Sequence, residues 1–167
     1  MKLFNYQSSI IQKVIDFAKI EYEKNDSFHS WQHVENVMKR ADEIAEKIDD
    51  PIDFETLKLA IIFHDIDYHS EKDFETNYSN HVDNSVKVAK KFLNENNYPK
   101  EKIEKVKDII LDHSTPHRKK QGEAKSIEGK IIYDSDKSIF ITNQELFEKY
   151  FPQLYLEETK EMVKIKK

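Results

Sequence analysis

Residues Leu57 to Tyr68 read LKLAIIFHDIDY, an apolar run that ends in His64 and Asp65. Leu57, Ala60, Ile61 and His64 fall at i, i+3, i+4 and i+7, so a helix over this run points the histidine where it points its buried side chains. An ionised carboxylate is costly to take out of water unless it is paired or coordinates a metal, and imidazole is the commonest metal-binding side chain. The run therefore asks for a core helix with a metal-like partner at its end. On the dipeptide alone a solvated or turn-forming aspartate is the commoner outcome, so the other polar residues must decide.

The 167 residues fit one domain, and residues 1–167 are expected to form one. Only 2 Gly and 4 Pro punctuate the chain, which favours helices with short connections over strands and hairpins. Cys is absent, which excludes a disulfide scaffold and a thiolate site. Any metal must then be held by imidazole and carboxylate, a set that suits Mn, Fe, Co, Ni or Zn. There is no apolar stretch of about 18 residues and no N-terminal signal, so no membrane contact is expected and a cytoplasmic location is. The net charge of −5 argues against an extended nucleic-acid partner, although a local basic cluster can still meet phosphates on a small substrate.

Helical spacing recurs along the chain. Ser8 to Glu23 carries Ile10, Ile11, Val14, Ile15, Phe17, Ala18 and Tyr22 on a wide face. Ser30 is a candidate cap for a helix from Trp31 to Ile48, whose apolar stripe runs from Val34 through Val37, Met38, Ala41, Ile44 and Ala45 with His33 at its inner start. Asp53 can cap the helix that ends at His64 and Asp65. Ile66 to Tyr78 has no clear period and is expected to be a functional loop, with the next helix running from His81, in its first turn, to Asn94. Ile103, Val106, Ile110 and His113 mark a fifth helix after Pro99. Residues 114–128, with Pro116, Gly122 and the basic Arg118-Lys119-Lys120, are expected to be a surface loop. A sixth helix from Ile127 to Phe140 holds Asp134 and Asp136; an aromatic patch with Phe147, Tyr150, Phe151 and Tyr155 follows, and the end, Lys164 to Lys167, is expected to fray.

Histidines thus lie at the inner edges of four helices, with an aspartate on another. His33, His64 with Asp65, and Asp136 resemble the ordered His, His-Asp, Asp signature of the HD-domain metal-dependent phosphohydrolase superfamily, in particular its small single-domain members. FHSWQHVENV resembles the first-histidine motif, AIIFHDIDY the central motif, and IIYDSDKSIF the segment with the last Asp, so the resemblance spans Asp26 to Phe140. It implies an all-α, HD-domain-like bundle of about six or more helices, with 141–167 as a helical and aromatic cover.

The resemblance makes His33, His64, Asp65 and Asp136 the ligands of a divalent ion (Mn, Fe, Co, Ni, Zn or Mg). From the residues alone either Asp134 or Asp136 could be the last ligand; the family pattern selects the second, immediately before a basic residue, here Lys137. In binuclear members histidines between the HD pair and the last Asp hold a second ion, and in mononuclear members equivalent residues contact phosphate or move protons, so both roles stay open for His81 and His113. With Asp65 and Lys137 they are the catalytic candidates. A small phosphorylated substrate, most plausibly a nucleotide, would meet Lys137 and, from the loop, Arg118, Lys119 and Lys120. Tyr68, Trp31 and Phe28 could stack on a base, although a Trp in a helix first turn is more often a core anchor; His29, His69 and His117 are expected at the surface, with His29, in the FHSWQH word, the one that could instead line the pocket. After the last Asp the chain reads Lys137-Ser138-Ile139-Phe140-Ile141-Thr142-Asn143, where many small relatives carry Leu, Asp and Gly; this bears on pocket shape, not on the ligands. The implied reaction is hydrolysis of a phosphomonoester or phosphoanhydride. A di-iron HD-type oxygenase and a noncatalytic metal- or nucleotide-binding regulatory module are the alternatives, and a homo-oligomer is compatible with each.

Overall fold

The computed structural model describes residues 2–69, 73–139 and 154–164, and these are helical with no strand among them. In chain order the helices are α1 (Lys2–Asn5), α2 (Ser9–Tyr22), α3 (Trp31–Ala45), α4 (Phe54–Phe63), α5 (Phe74–Glu95), α6 (Lys100–Asp112), α7 (Thr115–Gln121), α8 (Ile127–Ile139) and α9 (Glu157–Lys164).

The apolar run forms α4, and α4 lies at the centre, packed against α2, α3, α5, α6 and α8. Every side chain from Thr56 to Phe63 is buried. A helix apolar on all sides is one surrounded on all sides, so the single inward face read from Leu57, Ala60 and Ile61 understates its burial. Even Lys58 is buried, its Nζ donating to the Tyr6 carbonyl at 2.7 Å. Asp53 caps the helix as expected, accepting from the Thr56 amide at 3.2 Å, and its own amide donates to Glu128 of α8 at 2.8 Å. Around this rod α3 lies along α8, burying Val34, Val37, Ala41 and Ile44 near Ile131 and Ile132. Tyr22 at the end of α2 donates its hydroxyl to the Ile62 carbonyl at 3.0 Å, fixing the end of α4 where His64 follows.

Two stretches differ from the periodicity. α5 begins at Phe74 rather than near His81, so the loop after Asp65 is shorter and His81 sits about two turns inside the helix. The early turns carry exposed Glu75, Tyr78, Ser79 and Asn80 and therefore show no apolar period; what starts the helix is Asp73, which accepts from the Thr76 amide at 2.9 Å. The expected loop at 114–128 contains α7, opened by Ser114 accepting from the His117 amide and closed by Gly122 at φ 87°, a left-handed position that suits Gly. At seven residues α7 is too short to display a period. Ser30 takes the extended N-cap conformation before α3 without a side-chain capping bond.

Of the aromatic patch, Tyr155 is described, and Phe147, Tyr150 and Phe151 lie outside the described residues, as does Phe140. The expected frayed end is helical through Lys164 as α9, and Ile165 to Lys167 lie outside. Among the described residues no helix is long and apolar enough to cross a membrane.

Candidate metal centre

The helix ends explain how the histidines are held. His64 and His113 are the C-cap residues of α4 and α6, where the last four carbonyls of a helix lack intrahelical donors. Each ring turns back and its Nδ1 hydrogen-bonds one of those carbonyls, Ile61 at 2.7 Å for His64 and Ile110 for His113. His81 does the same inside α5, Nδ1 to the Tyr78 carbonyl at 3.0 Å. A neutral imidazole that donates through Nδ1 presents Nε2 as a bare lone pair, the arrangement in which metal-bound histidines are oriented by an outer partner. His33 comes from the first turn of α3, and Asp136 from α8.

These Nε2 atoms converge on carboxylates. His33 Nε2 lies 3.2 Å from His64 Nε2 and 3.2 Å from Asp136 Oδ1, and His64 Nε2 lies 3.2 Å from Asp65 Oδ2. On the other side of Asp65, its Oδ1 is 3.5 Å from His81 Nε2 and 3.4 Å from His113 Nε2. Two buried groups with metal-ligand geometry result, His33-His64-Asp136 and Asp65-His81-His113, with the Asp65 carboxylate between them. All six residues are buried. Asp65 Oδ1 has no hydrogen-bond partner although it is buried, a costly state for a carboxylate oxygen. An orphaned anionic oxygen facing imidazole lone pairs is what a cation resolves, so this donor set fits a divalent ion of the kind that takes nitrogen and oxygen ligands.

Electrostatics carry the same sign. Burial alone would raise Asp136, but the Lys137 ammonium, 2.6 Å from its Oδ2, and then His33 hold it below the usual carboxylate range. Lys137 is itself held charged, Asp136 and Asp65 outweighing its burial. Burial lowers His113 to about 4, against the pull of Asp65, so it stays neutral. For His64 burial also lowers the imidazolium, yet Asp65 and Asp136 prevail and raise it to about 9.

A cleft of about 220 Å³ opens above the centre, lined by His29, Tyr68, Tyr78, Thr115, Pro116 and Lys137 together with the ligand-type residues. His29 takes the pocket-lining place left open for it beside the surface one: its ring stacks on Tyr68 with centroids 3.4 Å apart and an interplanar angle of 10°, and its Nδ1 pairs with Asp26 at 2.9 Å. Phe28 and Trp31 do not line it; Trp31 anchors α3, its Nε1 donating to Glu35 and its edge against Tyr22. His69 does not line the cleft and pairs with Asn25 at 2.8 Å, and His117 lies on α7. Arg118 is turned away onto the rings of Tyr133 and Tyr155. Asp134 is buried, accepting from the amides of Tyr155 and Leu156 at 2.8 Å each ahead of α9. The sequence reading missed Asn25, which donates to the Asp65 carbonyl at 2.9 Å, and the wall formed by Ser114, Thr115 and Pro116. A small amide side chain in a turn gives no pattern from which the first could be found.

The family model for the HD domain matches residues 30–139, most of the chain. The chain belongs to the HD-domain family. HD domains bind divalent metal ions and characterise a superfamily of metal-dependent phosphohydrolases, some members of which are noncatalytic, and the two buried His/Asp groups of this HD-domain protein are compatible with that role. Comparisons with curated proteins and with solved structures gave no significant match.

Proposed function

We propose that this HD-domain protein is a divalent-metal-dependent phosphohydrolase acting on a small phosphorylated metabolite, most plausibly a nucleotide. The observation that carries the reading is the pair of buried donor groups joined through Asp65 beneath a cleft that holds a half-buried ammonium, Lys137. His33, His64, Asp65 and Asp136 would hold one ion, and Asp65, His81 and His113 a second. A bound divalent ion supplies Lewis acidity, easing deprotonation of an attacking water and polarising a phosphoryl oxygen.

The chain's own residues supply the rest. Asp65 orients both donor groups through one carboxylate, and the ring-to-carbonyl bonds of His64, His81 and His113 fix each ring before any ion arrives. Lys137 Nζ spends one donor on Asp136 and has two more for developing charge on a phosphoryl group. The His29–Tyr68 stack gives a flat rim on which a nucleobase can rest.

A panel of nucleoside phosphates and simple phosphomonoesters, assayed with each divalent ion added to chelator-treated protein, tests this. Release of phosphate that depends on the ion and disappears in Asp65→Ala supports the reading; turnover unchanged in Asp65→Ala removes it. The second donor group also favours a second reading, a di-iron oxygenase, which requires iron-dependent oxygen consumption.

A further inference from the structure

At seven residues α7 is far below the length at which a helix holds itself together, roughly 12 residues or more, so its order must come from tertiary contacts. It matters because its first turn, Thr115 and Pro116, forms one wall of the cleft. Its other end is gripped by Tyr155, a residue outside the matched family region.

Tyr155 makes four distinct contacts. Its ring lies under the Arg118 guanidinium at 4.0 Å and meets Tyr133 edge-on at 5.1 Å. Its hydroxyl accepts from the Ala124 amide, just past α7, at 3.0 Å. Its amide donates to Asp134, on α8 two residues before Asp136, at 2.8 Å. Arg118 also lies over Tyr133, 4.8 Å from that ring. The basic side chain that the sequence suggested for phosphate is thus occupied in tying α7 to α8 and to the segment leading into α9.

We infer that Tyr155 and Arg118 are positioning residues for substrate: together they clamp α7 so that the Thr115–Pro116 wall holds a bound phosphoester in place. The inference rests on the phosphohydrolase reading for its kinetic consequence, and on contacts outside the donor groups for its structural one. A wall located by a stacked guanidinium and a single hydroxyl is preorganised without touching the reacting atoms, and its loosening weakens substrate binding while leaving the donors in place.

Three single variants, Tyr155→Leu, Arg118→Met and Arg118→Lys, and the double variant Tyr155→Leu/Arg118→Met test the clamp in the full chain. Kinetics on the best phosphomonoester of the panel are read beside amide hydrogen exchange and metal content. Tyr155→Leu and Arg118→Met should each raise KM about three- to tenfold with kcat within about twofold, the size expected for one cation–π contact. Arg118→Lys should recover part of the loss, because an ammonium still sits over the ring. The double variant should fall short of the sum of the two single effects, since both singles break the Arg118–Tyr155 contact. Amides of 115–121 should exchange faster in both single variants while metal content holds. Unchanged α7 exchange overturns the clamp, and faster exchange with an unchanged KM overturns the positioning role. If the wild-type protein hydrolyses no phosphoester, the phosphohydrolase reading fails and α7 exchange alone decides whether Tyr155 holds the helix.

Discussion

His33 Nε2 and His64 Nε2 face each other at 3.2 Å in the buried centre, with carboxylate oxygens of Asp65 and Asp136 each 3.2 Å from one of the two rings. Because His64 already donates through Nδ1 to Ile61, its Nε2 carries a proton only when the ring is charged. The pair is thus a place for either a proton or a metal ion. Removing a bound ion should lower stability: at an ion concentration of 100 times Kd the linkage is worth about 2.7 kcal/mol, and thermal unfolding with and without chelator measures it. An unchanged midpoint would mean that no ion binds the folded state preferentially.

The two donor groups share Asp65 and nothing else, so they should be separable. His81→Ala should remove one ion and leave the other, because His33, His64 and Asp136 keep their geometry. Outer-shell losses are smaller: disturbing Asn25, which holds the Asp65 and His29 carbonyls and pairs with His69, should weaken affinity by about tenfold, within the range seen for second-shell partners. Titration of the chelator-treated protein with a divalent ion separates the cases.

Lys137 is placed to serve substrate as well as Asp136. Lys137→Met should keep metal content and lower kcat/KM by about 100-fold, the scale of one lost charge-stabilising donor. A variant that loses its ion instead would show that the ammonium acts only through Asp136.

Tyr68 supplies a flat face together with His29. Tyr68→Leu should raise KM for a nucleoside monophosphate about three- to tenfold, as expected for one aromatic stack, and leave a ring-less ester such as glycerol phosphate nearly unaffected. Equal effects on both would place the ring outside substrate contact.

The cap at Asp53 offers a stability test remote from the site. Burial raises its carboxyl, but the Thr56 amide and Lys105 hold it below the ordinary value. A depressed folded value means that the contribution is present above the unfolded carboxylate range and is lost as pH falls through the folded one. Asp53→Ala should cost about 1 kcal/mol at neutral pH, by loss of the cap, and the difference from wild type should shrink on acidification. Denaturant unfolding at several pH values measures both.

Much of the fold was legible because its helices bury stripes. Val34, Val37, Ala41 and Ile44 on α3, and Ile103, Val106 and Ile110 on α6, are spaced at helical period and are all buried. Histidines at the inner ends of such stripes fall together when the helices pack around α4. What the period could not show lies where burial is partial or local chemistry governs. The first turns of α5 are exposed and start at the Asp73–Thr76 cap, α7 is shorter than two full repeats, and α4 is buried on every side. Arg118 looked like a phosphate contact because charge alone gives no direction; the rings that capture it come from Tyr133 and, further along the chain, Tyr155.

The most direct test is the metal content of protein purified without added metal or chelator, compared with Asp65→Ala of matched helical circular dichroism. Asp65 is the one carboxylate facing both donor groups, so the account predicts stoichiometric divalent metal in the wild-type protein and loss from both groups in the variant. A wild-type protein that holds no divalent ion, or an Asp65→Ala variant that holds as much as wild type, would contradict it.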